Sequence, residues 1–176
     1  VWDRAYEYFG AHPGEDGWTF RVWAPQARAV ALSGDFNGWQ RWEMTRLDGG
    51  VWELTAANAR QFDAYQYIVT QCDGREVWKT DPYGFHQETR PATNSKLYDI
   101  GGYVWHDEKW RERQRGTRPA EGCVNIYEVH LGSWRRTENG EVMSYRAMAD
   151  QLALYVREMG YNYVELLPVT EYPLDD

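Results

Sequence analysis

The sequence is poor in the residues that usually mark metal or redox chemistry. Only two cysteines occur in 176 residues, Cys72 and Cys123. Neither has a His or a second Cys at metal-ligand spacing, so they read as free thiols in a reducing, cytoplasmic compartment. The four histidines, His12, His86, His106 and His130, are equally scattered. That excludes a zinc site built on a His/Cys cluster, and neither metal nor cofactor is expected. No apolar run approaches the roughly eighteen residues of a membrane span, so no membrane partner is expected. Positive charge is also scarce: 19 Lys and Arg stand against 27 Asp and Glu, a net charge of −8. A nucleic-acid partner requires a basic face and is excluded on that ground, whereas a neutral ligand meets no such barrier. The first residue is Val1 rather than Met, which points to a trimmed chain in which a targeting peptide would be invisible.

What the sequence has in excess is aromatic rings: 10 Trp, 13 Tyr and 5 Phe. Flat rings with a polar edge suit a core and a sugar-stacking surface equally well. From Trp18 to Asp99 these rings fall in short alternating runs punctuated by turns. Trp18–Trp23 alternates large apolar with polar residues, as a half-buried strand should. Trp18 and Trp23 are separated by an odd number of positions and therefore point to opposite faces. Ala29–Leu32 is a second run, stopped by the turn residues Gly34-Asp35-Phe36-Asn37-Gly38. Asp48-Gly49-Gly50 is a hairpin signal before Val51–Leu54, in which Trp52 is assigned to packing. Ala64–Val69, the turn Cys72-Asp73-Gly74, Glu76–Lys79 and Lys96–Tyr98 follow. Six or seven strands at this spacing, without a helix, predict a two-sheet sandwich over residues 1–104.

Residues 105–121 change character. The segment His106–Arg115 is densely charged, with Trp105 and Trp110 as large apolar residues, and reads as a solvated linker helix. Gly116 and Pro119 close it, and a domain boundary is placed there. Beyond Gly122 the pattern is that of a strand (Val124–Val129), a helix and a second apolar strand (Tyr163–Leu167). Ser144 is the expected N-cap of the helix. Tyr145, Met148, Leu152, Tyr155, Val156 and Met159 recur at helical spacing, and Gly160 ends it. Strand, helix, strand is a βαβ unit with parallel pairing. A (β/α)₈ barrel spends about 31 residues on each such unit, so residues 122–176 hold fewer than two of them. The expected fold is mainly β, a β-sandwich followed by a βαβ fragment of an incomplete (β/α)₈ barrel; that it is an Ig-like β-sandwich does not follow from the spacing.

These residues carry a family resemblance. Tyr8–Pro13, Val22-Trp23-Ala24-Pro25, Gly34–Trp39 and Asp81-Pro82-Tyr83 resemble the N-terminal sandwich of bacterial glycogen branching enzymes, carbohydrate-binding module family 48. Ile126–Arg136, then Ser144-Tyr145-Arg146, Met159-Gly160-Tyr161 and Glu165–Pro168, resemble the first two strands of the barrel of the same enzymes, glycoside hydrolase family 13. The motifs follow the family's order along nearly the whole chain. The resemblance implies transfer of an α-1,4-glucan segment to a 6-hydroxyl, with retention of configuration by paired carboxyl groups. In the family those acids lie at the ends of the fourth, fifth and seventh barrel strands. None of Glu128, Glu165, Asp175 and Asp176 matches them, so no catalytic residue is assigned and the chain by itself is expected to lack branching activity.

The implied partner is an α-glucan such as glycogen or amylose. The family's two sugar-flanking Trp residues carry over onto Trp39 and Trp78, and its Asn onto Asn94. Its Lys does not carry over: that position is Gln66, whose amide can still donate and accept hydrogen bonds to hydroxyls. Edge packing, or contact with the barrel, is the competing role for both Trp residues. Alternative functions are another enzyme of the same superfamily, either an isoamylase-type debranching enzyme or a trehalose-releasing hydrolase, and a stand-alone glycan-binding module. The Leu131–Arg136 segment favours branching. Because a parallel strand pair is normally covered on both faces, residues 122–176 are expected to pack on the sandwich, or on a second copy in a homo-oligomer.

Overall fold

The computed structural model describes residues 3–89, 91–116 and 122–169. Val1, Pro119, Asp175 and Asp176, named above, lie outside them. The chain divides into two compact units that part between Val104 and Trp105.

The first unit is a sandwich of two antiparallel sheets. One has the order β1 (Gly10–Gly14), β2 (Gly17–Trp23), β6 (Val51–Ala56), β5 (Thr45–Arg46). The other has the order β4 (Trp42–Glu43), β3 (Ala29–Gly34), β7 (Ala64–Thr70), β10 (Ser95–Lys96), β9 (His86–Gln87). In the second sheet β8 (Glu76–Lys79) shares the free edge of β7 with β10, pairing residues 67–70 while β10 pairs 64 and 65. Alternation along β2 decides which side is core. Trp18, Phe20 and Val22 are buried, while Trp23 is 62% exposed. On the outer side of the same sheet Arg21 meets Glu53 and Thr19 meets Thr55 in register. The Arg21–Glu53 pair is partly exposed and adds at most about 1 kcal/mol. Removing Phe20, Leu32, Tyr65, Tyr67 and Leu97 almost wholly from water contributes more, about 1.5–3 kcal/mol for each large side chain. Trp52 joins that core and donates its indole N–H to the carbonyl of Ala24.

β1 contains Pro13, which argues against a strand in any central position. The chain accommodates it at a sheet edge, where no neighbour needs the missing N–H. The β1–β2 turn requires Gly17. Its φ is +117°, and a Cβ there would lie 2.4 Å from the carbonyl oxygen of Ala56.

A carboxylate sits inside this sandwich. Asp81 follows β8 and is buried. Its Oδ2 accepts from the hydroxyls of Tyr65 (2.7 Å) and Tyr67 (3.1 Å), and its Oδ1 from the Tyr83 N–H (2.8 Å). Its own N–H donates to Ser95 Oγ. Burial pushes the Asp81 carboxyl above its ordinary value, against the lowering effect of those hydrogen bonds. Burial, reinforced by the neighbouring carboxylate, drives both phenols well above the usual tyrosine range.

The second unit holds helix α1 (Glu108–Gln114), with no buried residue, and a parallel pair formed by β11 (Ile126–Val129) and β12 (Tyr163–Leu166). Helix α3 (Tyr145–Glu158) connects the two strands and is capped as expected: Ser144 Oγ accepts from the Ala147 N–H, and Gly160 has φ +79°. A single helical turn, α2 (Leu131–Trp134), was not legible in the sequence. Two asparagines align the strands. Asn125 N–H donates to Asn162 Oδ1 at 2.7 Å, and Asn162 N–H returns to the Asn125 carbonyl at 3.1 Å. Val129, Met148 and Leu152 are buried, whereas Ile126, Val164 and Leu166 are each more than 40% exposed.

Two predictions follow from these contrasts. Asp81→Ala strands two buried hydroxyls and is expected to cost about 2–4 kcal/mol in thermal or urea unfolding. In Asp81→Asn the proton is absent. Because the folded state holds the Asp81 proton more tightly than the unfolded chain, this group's contribution falls as pH rises from the ordinary aspartate value through its raised folded value. The melting temperature of the wild type relative to Asp81→Asn should therefore decline over that window; a difference independent of pH would contradict the burial of this carboxyl. Separately, amide hydrogen exchange of the isolated chain should be faster in 126–129 and 163–166 than in β2, β6 and β7, since the parallel pair leaves apolar surface in water.

Candidate functional site

The outer face of the second sheet gathers most of the residues singled out for sugar contact. On β7, Tyr65, Tyr67 and Val69 pack into the core, so Ala64, Gln66, Ile68 and Thr70 lie on the outer side of the sheet, where Ala64 and Ile68 are themselves buried. Cross-strand partners share a face. Ile68 pairs with Trp78 on one side and Ala31 on the other, and Gln66 pairs with Ser33. Ala64 pairs with Lys96, which pairs in turn with His86. Two residues along the same ladder, past the Ser95–Gln87 pair, the Glu88 N–H donates to the Asn94 carbonyl. Trp78, Gln66, Asn94 and Glu88 thus occupy one surface.

Trp39 lies in the turn after β3, near the start of β7. Its backbone is left-handed, with φ +60°, a region unfavourable for a bulky side chain. The turn is built to hold it there. Asn37 Oδ1 accepts from Gly34 N–H, the Trp39 N–H donates to the Gly34 carbonyl at 2.9 Å, and the indole N–H donates to Asp35 Oδ1 at 2.9 Å. The other oxygen of Asp35 accepts from the Ala64 N–H at 2.8 Å. One carboxylate therefore fixes the indole plane relative to β7. Trp39 and Trp78 are 39% and 51% exposed, open enough for a ligand to lie on them.

The two polar candidates are more constrained. The Gln66 amide donates to the Thr93 carbonyl (3.2 Å) and hydroxyl (3.3 Å), and the Asn94 amide donates to Glu88 Oε2 at 2.7 Å. What remains is the carbonyl oxygen of each amide, an acceptor for a hydroxyl donor, and the second N–H of Asn94. Between them and β3, the Ser33 hydroxyl is buried and finds no partner among the described residues. Asp35 and Ser33 are the members of this surface that sequence reasoning missed. Asp35 read as a turn former, and a serine in an apolar run carries no signal of the face it takes.

A separate concavity of about 550 Å³ lies beside the first sheet, lined chiefly by Phe9, Trp23, Val51, Pro82 and Tyr83, with Asp48 as its charged group. Trp23 is held there by an indole N–H bond to the Gly49 carbonyl. Among the described residues, no group of three or more His, Cys, Asp or Glu is placed to hold a metal. Glu128 and Glu165 are register partners in the parallel pair, and both are solvent-exposed.

Residues 8–84 match the family model of carbohydrate-binding module 48, the isoamylase N-terminal domain. The 1,4-alpha-glucan branching enzyme of Halothermothrix orenii is 43% identical over 98% of this chain, and that of Bacillus caldolyticus 42% over 98%. The chain spans only 28% and 27% of those two proteins. A point mutant of Klebsiella pneumoniae PulA, solved as a maltotriose complex, superposes on 96% of this chain and 21% of its own with a TM-score of 0.67 at 26% identity. Residues 8–84 are thus similar to carbohydrate-binding module family 48, and the chain is similar over nearly its whole length to about a quarter of the 1,4-alpha-glucan branching enzymes.

Proposed function

We propose that this chain is the glucan-binding and barrel-opening part of a cytoplasmic 1,4-alpha-glucan branching enzyme of glycogen synthesis. The observation that carries the reading is alignment with branching enzymes along 98% of the chain, through the sandwich and the βαβ segment alike. A module that only bound glycan would need no parallel strand pair. In the proposed reaction the intact enzyme breaks a C1–O4 glucan bond, holds the released segment on a carboxylate, and passes C1 to a 6-hydroxyl. Net configuration is retained because the anomeric carbon is displaced twice. The reading places those carboxyls outside this chain and gives the chain the task of holding the polymer. No described helix is long and apolar enough to cross a membrane.

The glucan face in this reading is the outer side of the second sheet, with Trp39 and Trp78 as the ring platforms and Gln66 and Asn94 as hydroxyl acceptors. The apolar faces of glucose stack on indole, and a helical α-glucan presents successive rings to two platforms. A net charge of −8 does not oppose a neutral polymer. Self-association through residues 122–176 is the companion proposal, since it would cover the exposed face of the parallel pair.

Three measurements test this. Replacing both Trp39 and Trp78 by Ala in the intact protein should weaken retention in a glycogen-containing native gel by about tenfold; unchanged mobility would remove the sheet face from consideration. Incubating amylose with the 176-residue chain alone should produce no α-1,6 linkages by debranching analysis, whereas the intact enzyme should produce them. A solution mass twice that of the chain is expected from self-association, and a strictly monomeric mass would refute it.

A further inference from the structure

Among the described residues two that are not glycine have a left-handed backbone, Trp39 (φ +60°) and Phe62 (φ +73°). Both are exposed aromatics. Trp39 already belongs to the proposed glucan face; Phe62 has no assigned role. Its conformation is one that glycine adopts freely and a bulky residue does not. Burial does not compensate, because Phe62 is 55% exposed.

The chain nevertheless enforces this geometry. The Phe62 N–H donates to the Leu97 carbonyl at 2.8 Å, and the Leu97 N–H returns to the Asp63 carbonyl at 3.0 Å. Asp63 Oδ2 accepts from the Arg60 N–H, and Gln61 Oε1 from the Asp99 N–H. The ring then stands with two others. His86 lies 6.2 Å from it and Tyr98 5.9 Å, and His86 and Tyr98 are 5.9 Å apart. Their planes meet at 81°, 54° and 70°. No ring stacks flat on another.

Its place on the molecule is what gives the trio meaning. His86 pairs with Lys96 and Lys96 with Ala64, the ladder row next to Gln66 and Asn94 on the same outer face. Asp35 grips both the Trp39 indole and the Ala64 N–H. The two strained aromatics therefore stand at the same end of one surface, joined through a single carboxylate and the short segment from Phe62 to Ala64. Lys96 makes no ion pair among the described residues and can donate to hydroxyls beside the rings.

We infer that Phe62, His86 and Tyr98 form a second contact platform for α-1,4-glucan, continuous with Trp39, which engages chains too long to be satisfied by Trp39 and Trp78 alone. This rests on the sheet-face reading above and extends it to chain-length preference.

The test uses the intact protein, with maltotriose and maltoheptaose as probes in calorimetry and thermal unfolding measured alongside. Phe62→Gly removes the ring and relieves the backbone. It should leave the melting temperature unchanged or slightly raised, weaken maltoheptaose binding about two- to tenfold, and leave maltotriose binding almost untouched. Tyr98→Ala should weaken maltoheptaose in the same selective way. If Phe62→Gly binds both sugars as wild type while the Trp39/Trp78 double variant is weakened, the platform is refuted and the sheet-face reading survives. Equal weakening for both sugars, or a lowered melting temperature in Phe62→Gly, would make Phe62 a structural residue and overturn the inference. An inert Trp39/Trp78 double variant would remove the shared face and the extension with it.

Discussion

Asp81 is the one buried ionisable carboxyl among the described residues of a mainly aromatic and aliphatic sandwich interior, and three donors converge on its carboxylate from β7 and from the turn after β8. Burying an ionisable group is expensive unless its lone pairs are filled. Here they are filled by groups that would themselves be stranded without it: the Tyr65 and Tyr67 hydroxyls, both almost fully buried. The constraint is mutual. It sets Tyr65 and Tyr67 toward the core, and the alternation of the strand then turns Gln66 and Ile68 outward, opposite Ser33 and Trp78. The composition of the sheet's outer side is in this sense a consequence of a carboxylate on its other side.

That face is held by tethers that the ligand need not organise. Asp35 fixes the Trp39 indole to β7, Glu88 holds the Asn94 amide, and Thr93 holds that of Gln66. Rings and acceptors that are placed beforehand lose little freedom on binding, which favours affinity for a flexible, uncharged polymer. Where the family resemblance leads one to expect a lysine, Gln66 spends its amide donors on Thr93, leaving its carbonyl oxygen as an acceptor.

The second unit shows a different balance. Its parallel strands are aligned by the Asn125–Asn162 exchange and linked by a well-capped helix, and Trp134 donates to the Tyr127 hydroxyl within a cluster that includes Tyr155 and Tyr161. Yet Ile126, Val164 and Leu166 remain open to water. Parallel sheets are normally sheltered on both faces. The local rules of strand, cap and turn are satisfied here, while the burial that would stabilise them is incomplete.

The strands with two-residue alternation, the Ser144 cap, the Gly160 stop and the opposite orientations of Trp18 and Trp23 were all legible in the sequence, because each depends on residues close together along the chain. Pro13 hid the edge strand β1, since whether a missing N–H matters depends on having a neighbour. Only the tertiary structure could decide that Asp81 is internal, that Asp35 joins Trp39 to Ala64, and that Phe62 meets His86 and Tyr98. Those relations link positions 14 to 36 residues apart, and their energies arise from burial and from donor–acceptor geometry that exist only once the sheets have paired.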